Sequence, residues 1–160
     1  MEQSGPSEGQ PNRGAKGTSR SARRRSRELA LQGLYQWLVG GRDAASIQAQ
    51  PLDDEPIHGV DSAHYGELLN GAITHADSLR ALFAPYLDRS VNALSPVEHA
   101  ILLIASYELQ YRVEIPYRVV INEAVELAKS FGGTDGFRYV NGVLDKMVTQ
   151  LRPAEGAQKT

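Results

Sequence analysis

The sequence predicts an all-α protein, a compact bundle of six to seven helices behind a disordered N-terminal extension. Three observations lead there. Apolar residues recur at spacings of three and four along most of the chain. No stretch shows the sustained alternation of apolar and polar residues that marks a half-buried strand. Prolines at first helical positions and glycines after last ones punctuate the segments. A length of 160 residues with 41% apolar content suits one domain. Its expected bounds are 20–153, between an extension at 1–19 and a short tail at 154–160.

Residues 1–19 are rich in Gly, Ser, Pro and Gln, and after Met1 they carry one apolar side chain, Ala15. Burial cannot offset their ordering entropy, so disorder is expected. The first helix is expected over 21–39, with Leu31, Leu34, Leu38 and Tyr35 on one face and Gly40-Gly41 ending it. A short helix over 43–50 precedes a loop at 51–59, marked by Pro51, Pro56 and the acidic run Asp53-Asp54-Glu55. A longer helix over 62–83 carries the stripe Leu68, Leu69, Ala72, Ile73, Ala76 and Leu79, and Pro85 breaks it. Ser95-Pro96-Val97-Glu98 reads as a capping box with proline at the first helical position. The helix it starts, over 95–112, is apolar around much of its circumference, which places it centrally. Pro116 opens the next helix, to Phe131, with Gly132 or Gly133 as its cap. The last helix, over 135–151, buries Val140, Val143, Leu144, Met147 and Leu151, and 153–160 reads as a frayed tail.

Charge is nearly balanced overall, 17 Lys and Arg against 19 Asp and Glu, but unevenly placed. Residues 13–27 hold seven basic residues and no acidic one, whereas 42–88 hold eight acidic residues against Arg42 and Arg80. Such polarity suggests a basic arm for a polyanion on an acidic body. Arg20, Arg24 and Arg27 form one line on a helix, continuing into Leu31, Leu34 and Leu38. Cations at a helix start oppose the macrodipole by about 0.3–1 kcal/mol each. A bound phosphate backbone reverses that penalty by releasing counterions. The alternative is a solubilising charge run.

The segment Gly132-Gly133-Thr134-Asp135-Gly136 is a glycine-rich elbow between two helices. It lacks the Gly-Lys-Ser/Thr of a phosphate loop and follows a helix where that motif follows a strand. Capping explains part of it, with Thr134 or Asp135 as N-cap. The flanking Lys129, Arg138 and Tyr139 suit an unpaired nucleic-acid strand, since stacking a base on an aromatic is worth roughly 1–3 kcal/mol. Asp135 either accepts from a base edge or repels phosphate. Tyr139 reads equally well as a partly buried core aromatic.

Catalytic and metal residues are expected to be none, and no cofactor is implied. Cysteine is absent, excluding disulfides and thiolate sites. His64 and His75 are too far apart along one helix to share a metal, and no nucleophile or His-Glu-x-x-His constellation occurs. Glu123 and Glu126, with Lys129 three residues on, read as a solvated helix face. No apolar run approaches the roughly 20 residues of a membrane span, and the N-terminus has no apolar signal core. A cytoplasmic, non-membrane protein is expected.

The segments SARRRSRELALQGLYQW, YLDR, LSPVEHAILLIASYEL, IPYRVVINEAVELAKSFGG and FRYVNGVLDK stand in the order found in NusB. Over residues 21–153 the chain resembles the NusB family of bacterial transcription antitermination factors. The resemblance implies a helical domain that binds single-stranded boxA RNA of nascent ribosomal RNA transcripts together with NusE, a small-subunit ribosomal protein. It further implies assembly on RNA polymerase to suppress premature termination. It assigns RNA contact to Arg23, Arg24, Arg25 and Arg27, to Arg89 of the YLDR motif, and to Gly132, Asp135, Arg138 and Tyr139, beside the Lys129 read above. It assigns NusE contact to Tyr35 and Glu98. Some family members self-associate, so monomer and homodimer both stay open. NusB-like domains also occur fused to ribosomal-RNA methyltransferases, which keeps a general RNA-binding or adaptor domain as the alternative.

Overall fold

A central helix organises the molecule. The computed structural model describes residues 10–50 and 61–157. Helices α1 (Gln10–Gly40), α2 (Ala44–Gln48), α3 (Ser62–Thr74), α4 (Ala76–Phe83), α5 (Pro96–Tyr111), α6 (Tyr117–Phe131), α7 (Gly136–Leu151) and α8 (Pro153–Ala157) follow one another, with 3-10 turns at Ala84–Tyr86 and Val91–Ala93. No strand occurs among the described residues, so the all-α reading holds. Every residue from Ala100 to Leu109 is buried, because α5 touches α1, α3, α4, α6 and α7 at once. Its apolar circumference therefore has partners on all sides. Leu34, Leu68, Leu69, Leu79, Phe83, Ile101 and Leu144 are fully buried, each worth about 1.5–3 kcal/mol relative to exposure.

Local chemistry sets most boundaries. Asp43 and Asp61 cap α2 and α3 by accepting from Ser46 N (2.8 Å) and His64 N (3.0 Å). Gly41, at φ 72°, supplies the left-handed residue that ends α1. Gly71 permits the close crossing of α3 and α5, because a Cβ there would collide with the Tyr107 ring.

Several expectations are corrected. The helix expected over 62–83 is two helices, bent at His75 (φ −103°, ψ 19°), whose ring stacks on Tyr107 and Tyr111. The bend lets Leu79 and Phe83 reach the core. Helix α1 is described from Gln10, ahead of the start expected at residue 21. The macrodipole penalty argued for residues 20–27 falls away, since they lie well inside the helix. Instead of a frayed tail, Pro153–Ala157 forms α8. There Arg152 Nη1 donates to Glu155 (2.8 Å), and Glu155 accepts from Tyr117 N. The loop expected at 51–59 lies outside the described residues.

Two buried polar clusters fix the helices. Arg27 (5% exposed) donates from Nε and Nη2 to the two carboxylate oxygens of Glu108 (1% exposed), at 2.9 and 3.0 Å. His64 Nε2 lies 3.2 Å from the same carboxylate. Burial opposes the charge on Glu108, yet the hydrogen bonds from His64 and Arg27 hold its carboxyl below the usual 4.5. Arg152 closes the end of α5 by donating to the carbonyls of Glu108, Leu109, Arg112 and Ile115.

Candidate nucleic-acid interface

The basic run on α1 divides by helix face. Arg23 and Arg24 are exposed, Arg25 is half-buried and pairs with Glu28 (2.7 Å), and Arg27 points inward. Arg27 is thereby corrected as a candidate RNA contact. It stands four residues before Leu31 on the apolar face, and its Nε and Nη2 both donate to Glu108. Arg24 keeps half its surface in solvent while donating from Nε and Nη2 to Glu123 of α6, at 3.1 and 2.8 Å.

At the other end of α6 lies the elbow. Gly132 caps α6 in an extended conformation (φ −92°, ψ −177°), so it is needed for space and not for a left-handed turn: a Cβ would stand 2.8 Å from the Ala128 carbonyl. Asp135 is the N-cap residue of α7 but makes no side-chain cap bond. Its carboxylate faces Arg138 at 3.7 Å, and both side chains are mostly solvent-exposed. Lys129 faces Glu126 at 3.8 Å, as the solvated-face reading of that segment expects.

Tyr139 is partly buried, as the core-aromatic reading expects. The ring is half-buried, its hydroxyl accepts from Asp88 N (3.3 Å), and the Arg89 guanidinium lies 4.3 Å from the ring centroid. Burial pushes the Tyr139 phenol up, so it stays neutral near pH 7. Arg89 in turn pairs with Asp88 at 2.6 Å, which holds the Asp88 carboxyl low. Arg89, Tyr139 and Glu98 line one cleft with Gly133, Thr134, Asp135 and Gly136. Half of the expected capping box forms, Ser95 Oγ accepting from Glu98 N at 3.1 Å. The Glu98 carboxylate does not return to Ser95. It reaches into the cleft, where a Cβ at Gly136 would stand 3.1 Å from it, a tight approach.

Comparison with known proteins adds to this geometry. The model of the NusB family matches residues 24–149. The chain belongs to the NusB family. The transcription antitermination protein NusB of Cupriavidus pinatubonensis (strain JMP 134 / LMG 1197) is 58% identical over 145 residues, 91% of this chain and 87% of the relative. That of Ralstonia pickettii (strain 12J) is 55% identical, covering 91% of this chain and 94% of the relative. A solved T. maritima NusB matches with TM-score 0.73 and 27% identity, over 85% of this chain and 96% of that one. A structure of antitermination factors NusB and NusE in complex with double-stranded RNA matches with TM-score 0.69 and 20% identity, over 81% of this chain and 97% of that one, a likeness of fold.

The NusB match takes in every site candidate except Arg23. Within this NusB fold, Arg89, Asp135 and Tyr139 come together at the cleft, with Gly132, Lys129 and Arg138 around the elbow. Arg24 lies along α6, where Glu123 and Lys129 are six residues apart, roughly 9 Å of helix. Tyr35 is exposed on α1 with the exposed Val39 one turn further. Sequence reasoning missed Phe137, whose ring has Lys129 Nζ and the Arg138 guanidinium each 5.3 Å from its centroid. It also missed Asp88 and Glu123 as partners of Arg89 and Arg24. His99 is a packing residue: it stacks edge-on against Phe83 and accepts from Arg80 Nε, and its pKa is pushed down to about 4 by burial and by Arg80. Among the described residues no cluster of His, Cys, Asp and Glu could hold a metal, and no helix is long and apolar enough to cross a membrane.

Proposed function

We propose that this chain is a transcription antitermination factor that binds single-stranded boxA-type RNA together with NusE and acts on the RNA polymerase complex in the cytoplasm. The observation that carries the reading is the cleft at the α6–α7 elbow. There an aromatic ring, backed on one side by Arg89, stands among cations on an otherwise acidic body. That chemistry grips phosphate through the cations and a base through the ring. Arg23, Arg24, Arg25, Arg89, Lys129 and Arg138 supply the phosphate contacts. Tyr139 supplies the stacking face, and Gly132 and Asp135 shape the elbow. Tyr35 and Glu98 receive NusE. Support also comes from relatives more than half identical that carry the antitermination name.

Filter binding of a short boxA-like RNA across a salt series tests the RNA half of the proposal. Log affinity is expected to fall linearly with log salt at about 0.7 per neutralised phosphate. Salt-independent binding, or none, would overturn it.

A further inference from the structure

On the reading that this face binds RNA, we propose that Glu123 sets its affinity by occupying Arg24 in the free protein, so that binding proceeds by exchange of Glu123 for a backbone phosphate. The geometry is that of the exchange. Arg24 presents Nε and Nη2 to the two oxygens of Glu123, at 3.1 and 2.8 Å, a two-point fork that a phosphate meets equally well. Arg24 is half in solvent, whereas Glu123 is only 16% exposed, so the arginine is the partner able to turn outward.

Exchange does not strand the carboxylate. Glu123 also lies 3.8 Å from Arg27 Nη1, and Arg27 is itself fixed by two hydrogen bonds to Glu108. When Arg24 leaves, Glu123 therefore keeps a cation beside it that does not move. The other acid–cation pairs of this face are built differently. Lys129–Glu126 and Arg138–Asp135 are open contacts of 3.8 and 3.7 Å within one turn, and Arg89–Asp88 joins neighbours in sequence. Arg24–Glu123 alone among these four connects α1 to α6. Consequently a polyanion that takes the Nε–Nη2 fork of Arg24 must break one interhelical ion pair, which holds down purely electrostatic binding.

A double-mutant cycle on the full chain tests the inference. Affinities for a boxA-like single-stranded RNA are measured for wild type, Glu123→Gln, Arg24→Ala and the double variant, at two salt concentrations. Glu123→Gln is expected to bind about two- to fivefold tighter, the range of an exposed ion pair. The gain is expected to vanish in the Arg24→Ala background. An equal gain with Arg24 absent would show a general charge effect and overturn the exchange, as would no gain at all. A second readout needs no change at Glu123: the Arg24 Nε–H resonance of the wild type, assigned by its loss in Arg24→Ala, should shift as RNA saturates. A resonance that stays in place contradicts the proposal. Wild type that binds no RNA sinks the RNA reading itself. Wild type that binds, with a flat cycle and an unmoved resonance, sinks only the role of Glu123.

Discussion

Replacing Arg27 by alanine should unfold the protein more readily and should not act as the loss of an RNA contact. Glu108 is 1% exposed, and three donors reach it: Arg27 Nε at Oε1, and Arg27 Nη2 and His64 Nε2 at Oε2. Without Arg27, Oε1 has no donor, Oε2 keeps the histidine, and a carboxylate stays buried without its cation. Breaking a buried pair from one side costs about 3–5 kcal/mol. At roughly 2–4 °C per kcal/mol for a domain of this size, the melting temperature should fall by roughly 6–20 °C. The double variant Arg27→Met/Glu108→Gln removes both charges, keeps an acceptor for His64, and should recover most of the loss. Circular-dichroism melts of the three proteins, with RNA titrations well below the lowest transition, separate the roles. An Arg27→Ala protein that melts within about 2 °C of wild type but binds RNA poorly would refute the reasoning.

Three further outcomes are expected. Tyr139→Ala should weaken RNA binding by about 1–3 kcal/mol with an unchanged salt slope, because stacking releases no counterions. Tyr139→Phe should bind nearly as wild type while losing about 0.5–1.5 kcal/mol of stability with the Asp88 N–H contact; comparable RNA losses in both variants would contradict the stacking role. Arg152→Ala should cost about 3 kcal/mol or more in urea unfolding, since four backbone carbonyls at the end of α5 lose their donor. Lysine, a single point charge, should restore only part of it. Glu108 has its folded-state carboxyl held below 4.5, so its contribution is fully present above about pH 4.5 and lost as pH falls below it. Arg27→Met/Glu108→Gln should accordingly lose less stability than wild type between pH 5 and pH 3, as seen by urea midpoints; parallel losses would exclude Glu108 as the acid-sensitive group.

Much of the helical layout was legible because its signals are local. Caps at Asp43, Ser95 and Pro116 and the glycines after α1 and α6 mark boundaries within a residue or two of those observed. The central place of α5 followed from an apolar circumference that only burial on all sides can satisfy. The bend at His75 carried no such signal: alanine follows it, and tertiary packing against Tyr107 and Tyr111 decides it. In the site, residue types were legible and orientation was not. Arg27 sits in line with Leu31 and Leu34, and that same spacing puts it on the inward face. Its partner was the other half of the signal, a lone Glu108 inside the run Ile101 to Leu109. The contact of Arg89 with Tyr139 joins residues fifty positions apart (139 − 89 = 50) and depends on how the turn before α5 folds over α7, which periodicity does not encode.

The most direct measurement is a titration of boxA-like single-stranded RNA at two salt concentrations, with and without NusE. The account predicts salt-sensitive binding that tightens when NusE is present, and that loses the tightening in Tyr35→Ala while RNA binding alone is spared. Binding that ignores both salt and NusE would contradict it.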